Sequence, residues 1–269
     1  MNRVALIQMC SGPDREANLA EAGRLMVQAV DQGAGLVTLP ECFSFMGRTD
    51  AEKKAGQEDP DNSPSLQFLQ DFAAKHKVWI VGGSISISLP GSSRFANTCF
   101  VVGSSGDLQA RYDKIHLFDA YIGEKQAYRE SNLIKAGDKP VVVDTPFGRV
   151  GLSICYDLRF PELYRKLVTM GATILTVPSA FTVSTGHVHW ELLLRSRAVE
   201  NFSYVLAPGQ GGKHPGGRRT YGNSMVVEPW GTVVGRCPDG VGLVMAELDP
   251  ERVAEARRKI PCLDYLSNK

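Results

Sequence analysis

Cys155 closes the run Gly151-Leu152-Ser153-Ile154-Cys155, and a helix signal with Pro161 at its opening follows within a few residues. Strand alternation puts Val150, Leu152 and Ile154 on one face and Gly151, Ser153 and Cys155 on the other. The sulfur therefore falls on the small-residue face, at the carboxyl end of its strand, where ligand sites in α/β folds gather. The turn after it exposes backbone N–H groups, which can donate to an oxyanion on a carbonyl that the sulfur attacks. A buried structural thiol fits the same position equally well.

Glu41 ends a second apolar run, Leu36-Val37-Thr38-Leu39-Pro40-Glu41. Its neighbours predict partial desolvation and a raised pKa, which suits proton transfer near neutrality. A helix cap or a surface ion pair is the plainer alternative. Lys114 follows a third strand and precedes the apolar stretch Ile115-His116-Leu117-Phe118. An ammonium there can lower the pKa of a nearby thiol and stabilise negative charge, whereas a solvated strand-end lysine does neither. Taken together the three residues are a nucleophile, a proton carrier and a fixed cation, each at the carboxyl end of its own strand. Those are the parts of an acyl-transfer site.

The elements that must position them alternate between short strand-like runs and amphipathic helical stretches, the pattern of an α/β fold. Strands are predicted at 4–9, 36–40 and 78–88, and helices at 14–33, capped by Gly33, and 63–77, opened by Ser63 and Pro64. Tight turns at 103–107, 146–148 and 229–231 predict antiparallel hairpins over 98–114, 141–155 and 225–235. Further helices are expected at about 161–171, 187–201 and 249–259. The reading is a mixed-sheet α/β class with two layers of strand. No internal repeat, long linker or change of composition divides the 269 residues, so one domain is expected, with a core over about 3–250 and a C-terminal helix and tail over 250–269.

Composition narrows the function classes. With 43% hydrophobic residues and 30 Lys plus Arg against 29 Asp plus Glu, the chain reads as globular, and a net charge of +1 gives no footprint for nucleic acid. No apolar run is long enough for a membrane helix or a secretory signal, so no membrane partner and a cytoplasmic location are expected. The six cysteines, at 10, 42, 99, 155, 237 and 262, form no CxxC pair and suggest small buried hydrophobes. His187 and His189 lie two apart and do not share a helix face, so no metal site is read there. GRRTYGN and VGGS lack the lysine and helix of a phosphate loop, and the flanks of Cys155 match no Cys–His protease signature. No cofactor is expected.

The words around the three residues are more specific than their types. LPECFSFMG at 39–47, YDKIHLFDA at 112–120 and GLSICYDLRFPELYR at 151–165 together resemble the nitrilase superfamily of carbon–nitrogen hydrolases. The resemblance runs from about residue 3 to about 250. It implies an α-β-β-α sandwich of two mixed sheets flanked by helices, and it places the family's triad on Glu41, Lys114 and Cys155. The family's second glutamate falls on Glu130, before a Lys-Ala-Gly turn where Pro-Gly is more usual. The implied mechanism has Glu41 taking the proton of Cys155, and Lys114 and the Tyr156 N–H holding the oxyanion. A thioester is then hydrolysed by a water that Glu41 activates.

The segments at 177–214 and 221–231 resemble the Nit-type amidases, especially those acting on deaminated glutathione. The ω-amidases, which act on α-ketoglutaramate and α-ketosuccinamate, are the alternative, and a silent binding protein on the same fold is a second. Asn223, where His is more usual, and His187 depart from both branches and are expected to tune substrate choice. The substrate implied is a small amide bearing carboxylates. The segment at 211–221 carries Lys213, Arg218 and Arg219 among four glycines and reads either as a lid whose cations meet those carboxylates or as a solvated loop. Arg159, Phe181, Thr182, His214 and Tyr221 are further candidate contacts, with an ion pair to Glu162 as the plainer role for Arg159. A homodimer is implied as well, and the segment at 189–202 is compatible with its interface.

Overall fold

In β1 (Arg3–Gln8), Val4 and Leu6 belong to one apolar cluster, Ala5 and Ile7 to another, and all four are fully buried. A strand covered on both faces must lie between layers. The structure, a computed structural model, describes residues 2–121 and 127–266. Its first half continues through α1 (Arg15–Asp31), β2 (Leu36–Thr38), α2 (Asp50–Ala55), α3 (Pro64–His76), β3 (Trp79–Val81), β4 (Ile85–Ile87), β5 (Ala96–Val102) and β6 (Leu108–Asp113). A small hairpin of β7 (Asp119–Tyr121) and β8 (Ala127–Arg129) follows.

The second half runs through β9 (Val142–Thr145), β10 (Gly148–Leu152), α4 (Pro161–Thr169), β11 (Ile174–Thr176), α5 (Val183–Asn201) and β12 (Tyr204–Ala207). It ends through β13 (Gly211–Lys213), β14 (Arg219–Tyr221), β15 (Met225–Val227), β16 (Val233–Arg236), β17 (Gly242–Glu247) and α6 (Pro250–Lys259).

Two mixed sheets result. The first has the order β17-β1-β2-β3-β5-β4, with β6 on β5, and the second has the order β16-β15-β12-β11-β10-β9. Parallel pairs β1–β2–β3 and β10–β11–β12 form their centres. Val4, Leu6, Leu36 and Val101 meet Val150, Leu152, Ile154 and Leu206 between the sheets. Helices α1 and α3 cover the outer face of the first sheet, with Leu25, Met26 and Leu69 against Ile7, Val37 and Ile80. Helices α4 and α5 cover the second, with Leu167, Trp190 and Leu194 against Leu175 and Val205. This is the expected α-β-β-α sandwich.

Several boundaries differ from expectation for local reasons. The strand expected over 78–88 breaks into β3 and β4 at Gly82-Gly83, and Gly83 has a left-handed φ of 56°. Helix α5 starts at Val183, earlier than 187, because the Thr182 hydroxyl caps it by accepting from the Thr185 N–H. The segment at 211–221 is a hairpin, β13 paired with β14, and not an open loop. No helix among the described residues is long and apolar enough to cross a membrane. Of the expected C-terminal tail, 267–269 lie outside the described residues.

Candidate active site

Glu41 lies in the turn beyond β2, after Leu39 and Pro40, and not on the strand itself. The Cys42 N–H that follows donates to Ser84 Oγ at 2.9 Å. Gly83 packs under this turn: a Cβ there would sit 2.1 Å from the Pro40 carbonyl oxygen, so the two backbones can approach only because the residue is glycine. Oε1 of Glu41 accepts from Asn97 Nδ2 at 3.0 Å and from Lys114 Nζ at 2.9 Å, and Oε2 accepts from the Ala180 N–H at 2.9 Å. Burial pushes this carboxyl up, but the Lys114 ammonium, hydrogen bonds from Lys114 and Cys155, and the charge of Arg218 outweigh it and hold the group below the usual carboxylate range. The raised pKa expected for Glu41 is therefore overturned. That expectation weighed the apolar run and left out the cation.

Lys114 is the first residue past β6, and its side chain is 2% exposed. Its Nζ also lies 3.0 Å from both carboxylate oxygens of Glu130, which opens a short 3-10 turn and accepts from the Phe118 N–H as well. Burial alone would lower the lysine's pKa; Glu130, Glu41 and Cys155 instead raise it well above the ordinary value. Cys155 begins a 3-10 turn (Cys155–Arg159) with a left-handed φ of 49°, and its N–H donates to the Pro178 carbonyl at 2.9 Å. A non-glycine residue in that conformation is strained, and the surrounding bonds hold it there. Burial and then the Glu41 carboxylate push the thiol well above the ordinary cysteine value, against the pull of Lys114. The lysine does not win, contrary to expectation. The resting set is thus carboxylate, ammonium and thiol. The Tyr156 N–H, in the first turn of the 3-10 segment, has no acceptor within that turn.

Two further residues set this geometry without having stood out in the sequence. Asn97, which binds Glu41, is the one amide side chain in the otherwise apolar and hydroxyl-bearing strand β5. Asp157, two residues past the cysteine, is fully buried. It accepts from the Ile154 N–H at 2.8 Å, the Tyr112 hydroxyl at 2.7 Å and the His116 N–H at 2.9 Å, and it contacts His116 Nδ1 at 2.7 Å.

Glu41, Lys114, Glu130 and Cys155 line one cavity of about 430 Å³, together with Tyr156, Arg159, Phe181, Thr182 and Arg218. Arg159 makes no ion pair with Glu162. Its guanidinium lies 5.5 Å from the Phe181 ring and 5.9 Å from the Tyr156 ring, with its terminal nitrogens 3.4 Å from His189 Nδ1. Arg218 donates to the Ala180 carbonyl at 3.1 Å. Cys42 also lines the cavity, Cys10 is half-buried and Cys262 is exposed, so the six cysteines are not uniformly buried filler.

Three candidates stand elsewhere. His214 is buried with both ring nitrogens engaged, Nδ1 by the Ser11 carbonyl at 2.8 Å and Nε2 by the Thr220 hydroxyl at 2.6 Å, which makes it an anchor for the β13–β14 hairpin. Tyr221 packs under α5 against Gly186 and His187 and does not line the Cys155 cavity. Arg219 lines an adjoining cavity of about 590 Å³. Asn223 and His187 do not line either one. The left-handed φ of 56° at Asn223 and its bond to the Tyr221 carbonyl give it a backbone role. Among the described residues no group of three or more His, Cys, Asp or Glu side chains is placed to hold a metal.

An α-β-β-α sandwich with a buried Glu–Lys pair against a strained cysteine defines a class of hydrolytic fold. The family model described as carbon-nitrogen hydrolase matches residues 3–258, and the chain belongs to that family. It is 42% identical over 264 residues to a deaminated glutathione amidase of Synechocystis sp., covering 97% of this chain and 96% of that one. Against the deaminated glutathione amidase of Mus musculus the identity is 41%, over 97% of this chain and 82% of the other. Among solved structures, Nit3 of Saccharomyces cerevisiae, a member of branch 10 of the nitrilase superfamily, superimposes with a TM-score of 0.88 at 35% identity, covering 96% and 94% of the two chains. The C. elegans NitFhit protein gives 0.91 at 40% identity, and this chain, covered to 98%, spans 64% of it.

Proposed function

We propose that the protein is an amidase that cleaves deaminated glutathione to α-ketoglutarate and cysteinylglycine through a thioester on Cys155. The observation that carries this is the Glu41 carboxylate, which accepts from Lys114 at 2.9 Å and lines, with Cys155, a cavity that also presents the Arg159 guanidinium. The names of the relatives support the substrate.

The reaction proceeds in two halves, acylation and then deacylation of Cys155. Glu41 takes the thiol proton as Sγ bonds to the amide carbon, and the carbonyl electron pair moves to oxygen. Lys114 Nζ and the Tyr156 N–H receive that oxyanion. As the pair returns, the C–N bond breaks and Glu41 delivers its proton to the leaving amine of cysteinylglycine. A water then enters: Glu41 takes its proton as the hydroxyl bonds to the thioester carbon, and when the C–S bond breaks Glu41 returns that proton to the departing sulfur, restoring thiol and carboxylate. Glu130 holds Lys114 in place throughout. Arg159, gripped between two rings, takes the α-keto carboxylate of the acyl half.

The reading includes one domain over 1–269, a cytoplasmic setting and a homodimer. The dimer is supported by Val188 and Leu192, which are 66% and 64% exposed one turn apart on α5. The test is α-ketoglutarate release from deaminated glutathione and from α-ketoglutaramate, alongside product formation from simple aliphatic amides. Higher kcat/KM on deaminated glutathione, lost in a folded Cys155→Ala protein, is expected. Preference for α-ketoglutaramate would overturn the substrate, and turnover by Cys155→Ala would overturn the mechanism.

A further inference from the structure

The cavity at Cys155 does not end at Arg218. It adjoins the second cavity, and Met46, Gly47, Lys53, Tyr128, Thr182 and Arg218 line both. The lining of this annex includes Arg48, Lys53, Arg218 and Arg219, and no carboxylate among the described residues. Two of these cations are already matched, Arg48 by Glu52 and Lys53 by Asp50 at 2.9 Å. Arg219 has no side-chain hydrogen bond or ion pair among the described residues, and it faces Lys213 directly across the β13–β14 pair. Like charges directly opposite each other destabilise a hairpin, and of the two cations only Arg219 lines the annex. The hairpin is nonetheless held in place, because His214, at its loop end, contacts the Ser11 carbonyl through one ring nitrogen and Thr220 of β14 through the other.

The three arginines are graded along the path. Arg159 lines only the inner cavity, Arg219 only the annex, and Arg218 both. Deaminated glutathione carries one carboxylate at each end, with the scissile bond between them. The acyl half stays on Cys155 while the dipeptide departs, so the dipeptide belongs on the exposed side. We infer that the annex is a subsite for the cysteinylglycine half, in which Arg219 binds the C-terminal carboxylate and so selects peptide amides over simple ones. This rests on the substrate proposed above.

The experiment compares parent and Arg219→Gln on three substrates: deaminated glutathione, its C-terminal carboxamide, and α-ketoglutaramate, which lacks the dipeptide. Loss of one charge-assisted contact remote from the reacting bond should raise KM for deaminated glutathione about tenfold with kcat retained. The ratio of kcat/KM for deaminated glutathione over α-ketoglutaramate should fall by the same factor. The parent should lose a similar factor on the carboxamide, and the variant should lose nothing further. A drop that is equal on the acid and the carboxamide, or no change in the ratio, overturns the subsite while leaving the substrate assignment standing. A parent that turns over α-ketoglutaramate but not deaminated glutathione overturns the substrate assignment and the subsite with it.

Discussion

The Tyr112 hydroxyl donates to the Asp157 carboxylate at 2.7 Å, joining the strand that leads to Lys114 to the turn that begins at Cys155. The strand lies in the first sheet and the turn follows β10 of the second, and His116 on the far side of Lys114 reaches the same carboxylate. One buried anion therefore fixes the lysine and the cysteine relative to each other. Asp157→Asn turns its NH2 toward a backbone donor whichever way it lies, the His116 N–H on one side or the Ile154 N–H on the other, and the expected loss is about 2–3 kcal/mol of stability. Because small displacements of reacting groups are costly, kcat should fall by roughly 100-fold with KM little changed. Tyr112→Phe removes one donor and deprives the Ile115 N–H, 3.3 Å from that hydroxyl, of its acceptor. About 1–2 kcal/mol is expected there. Urea unfolding beside steady-state kinetics checks both, and an effect on KM alone would contradict the positioning role.

Glu41 is held low and Cys155 high, so the thiol stays protonated through neutral pH. The ultraviolet thiolate band, taken as parent minus Cys155→Ala, should be absent there. The acid limb of kcat/KM follows loss of the Glu41 carboxylate, so it should fall below the ordinary carboxylate value of 4.5. Glu41→Gln removes an anion that raises the thiol pKa and leaves the Lys114 cation beside it. That variant should show more thiolate than the parent at a given alkaline pH and yet less activity. A thiolate band in the parent at neutral pH would sink this account.

The strand-end positions of Cys155, Glu41 and Lys114 were legible because apolar alternation and the flanking words mark them without reference to the rest of the chain. The protonation states were not. They depend on Glu130 and Lys114 meeting across separate elements, and no local pattern carries such a distance. Asp157 escaped notice for the same reason, since its four contacts come from β6, the segment after it and its own turn. The hairpin at 211–221 read as a loop because its glycines conceal strand pairing, and the anchoring of His214 by Ser11 and Thr220 was not legible beside its reading as a substrate contact because those partners are invisible in sequence order.

Gly83 and Gly91 both have left-handed backbones, with φ of 56° and 72°, but only the first touches the Glu41 turn. A Cβ at Gly83 would fall 2.1 Å from the Pro40 oxygen, while at Gly91 nothing lies within 4 Å. Gly91→Ala should therefore cost about 1 kcal/mol, from backbone strain alone, and leave kcat unchanged. Gly83→Ala should cost about 3 kcal/mol or more and lower kcat, because the Pro40-Glu41 turn must move away. Equal effects from the two substitutions would show that the contact beneath Glu41 does not matter.

Lys114 is the one cation bonded to Glu41 and Glu130 among the described residues, so Lys114→Met leaves two carboxylates facing each other with no bonded counter-charge and only the unbonded charge of Arg218 acting on Glu41. Breaking a buried pair in this way costs roughly 3–5 kcal/mol near neutral pH. The pH dependence separates this from a packing defect. In the parent, Glu41 has a lowered pKa, so its contribution is present above the unfolded carboxylate value and is lost as pH falls through the folded one. In the variant the same carboxyl keeps its burial and loses its cation, its pKa moves up, and the variant gains stability relative to the parent as pH falls from neutral. The stability gap should narrow steadily toward acid. At the alkaline end the raised pKa of Lys114 keeps the parent's advantage intact until pH climbs above the ordinary lysine value of 10.5. Glu41→Gln should cost less at every pH, since Lys114 retains Glu130 at 3.0 Å. Denaturant melts of the three proteins across pH test this directly, and a gap that stays constant toward acid would assign the loss to packing instead of charge.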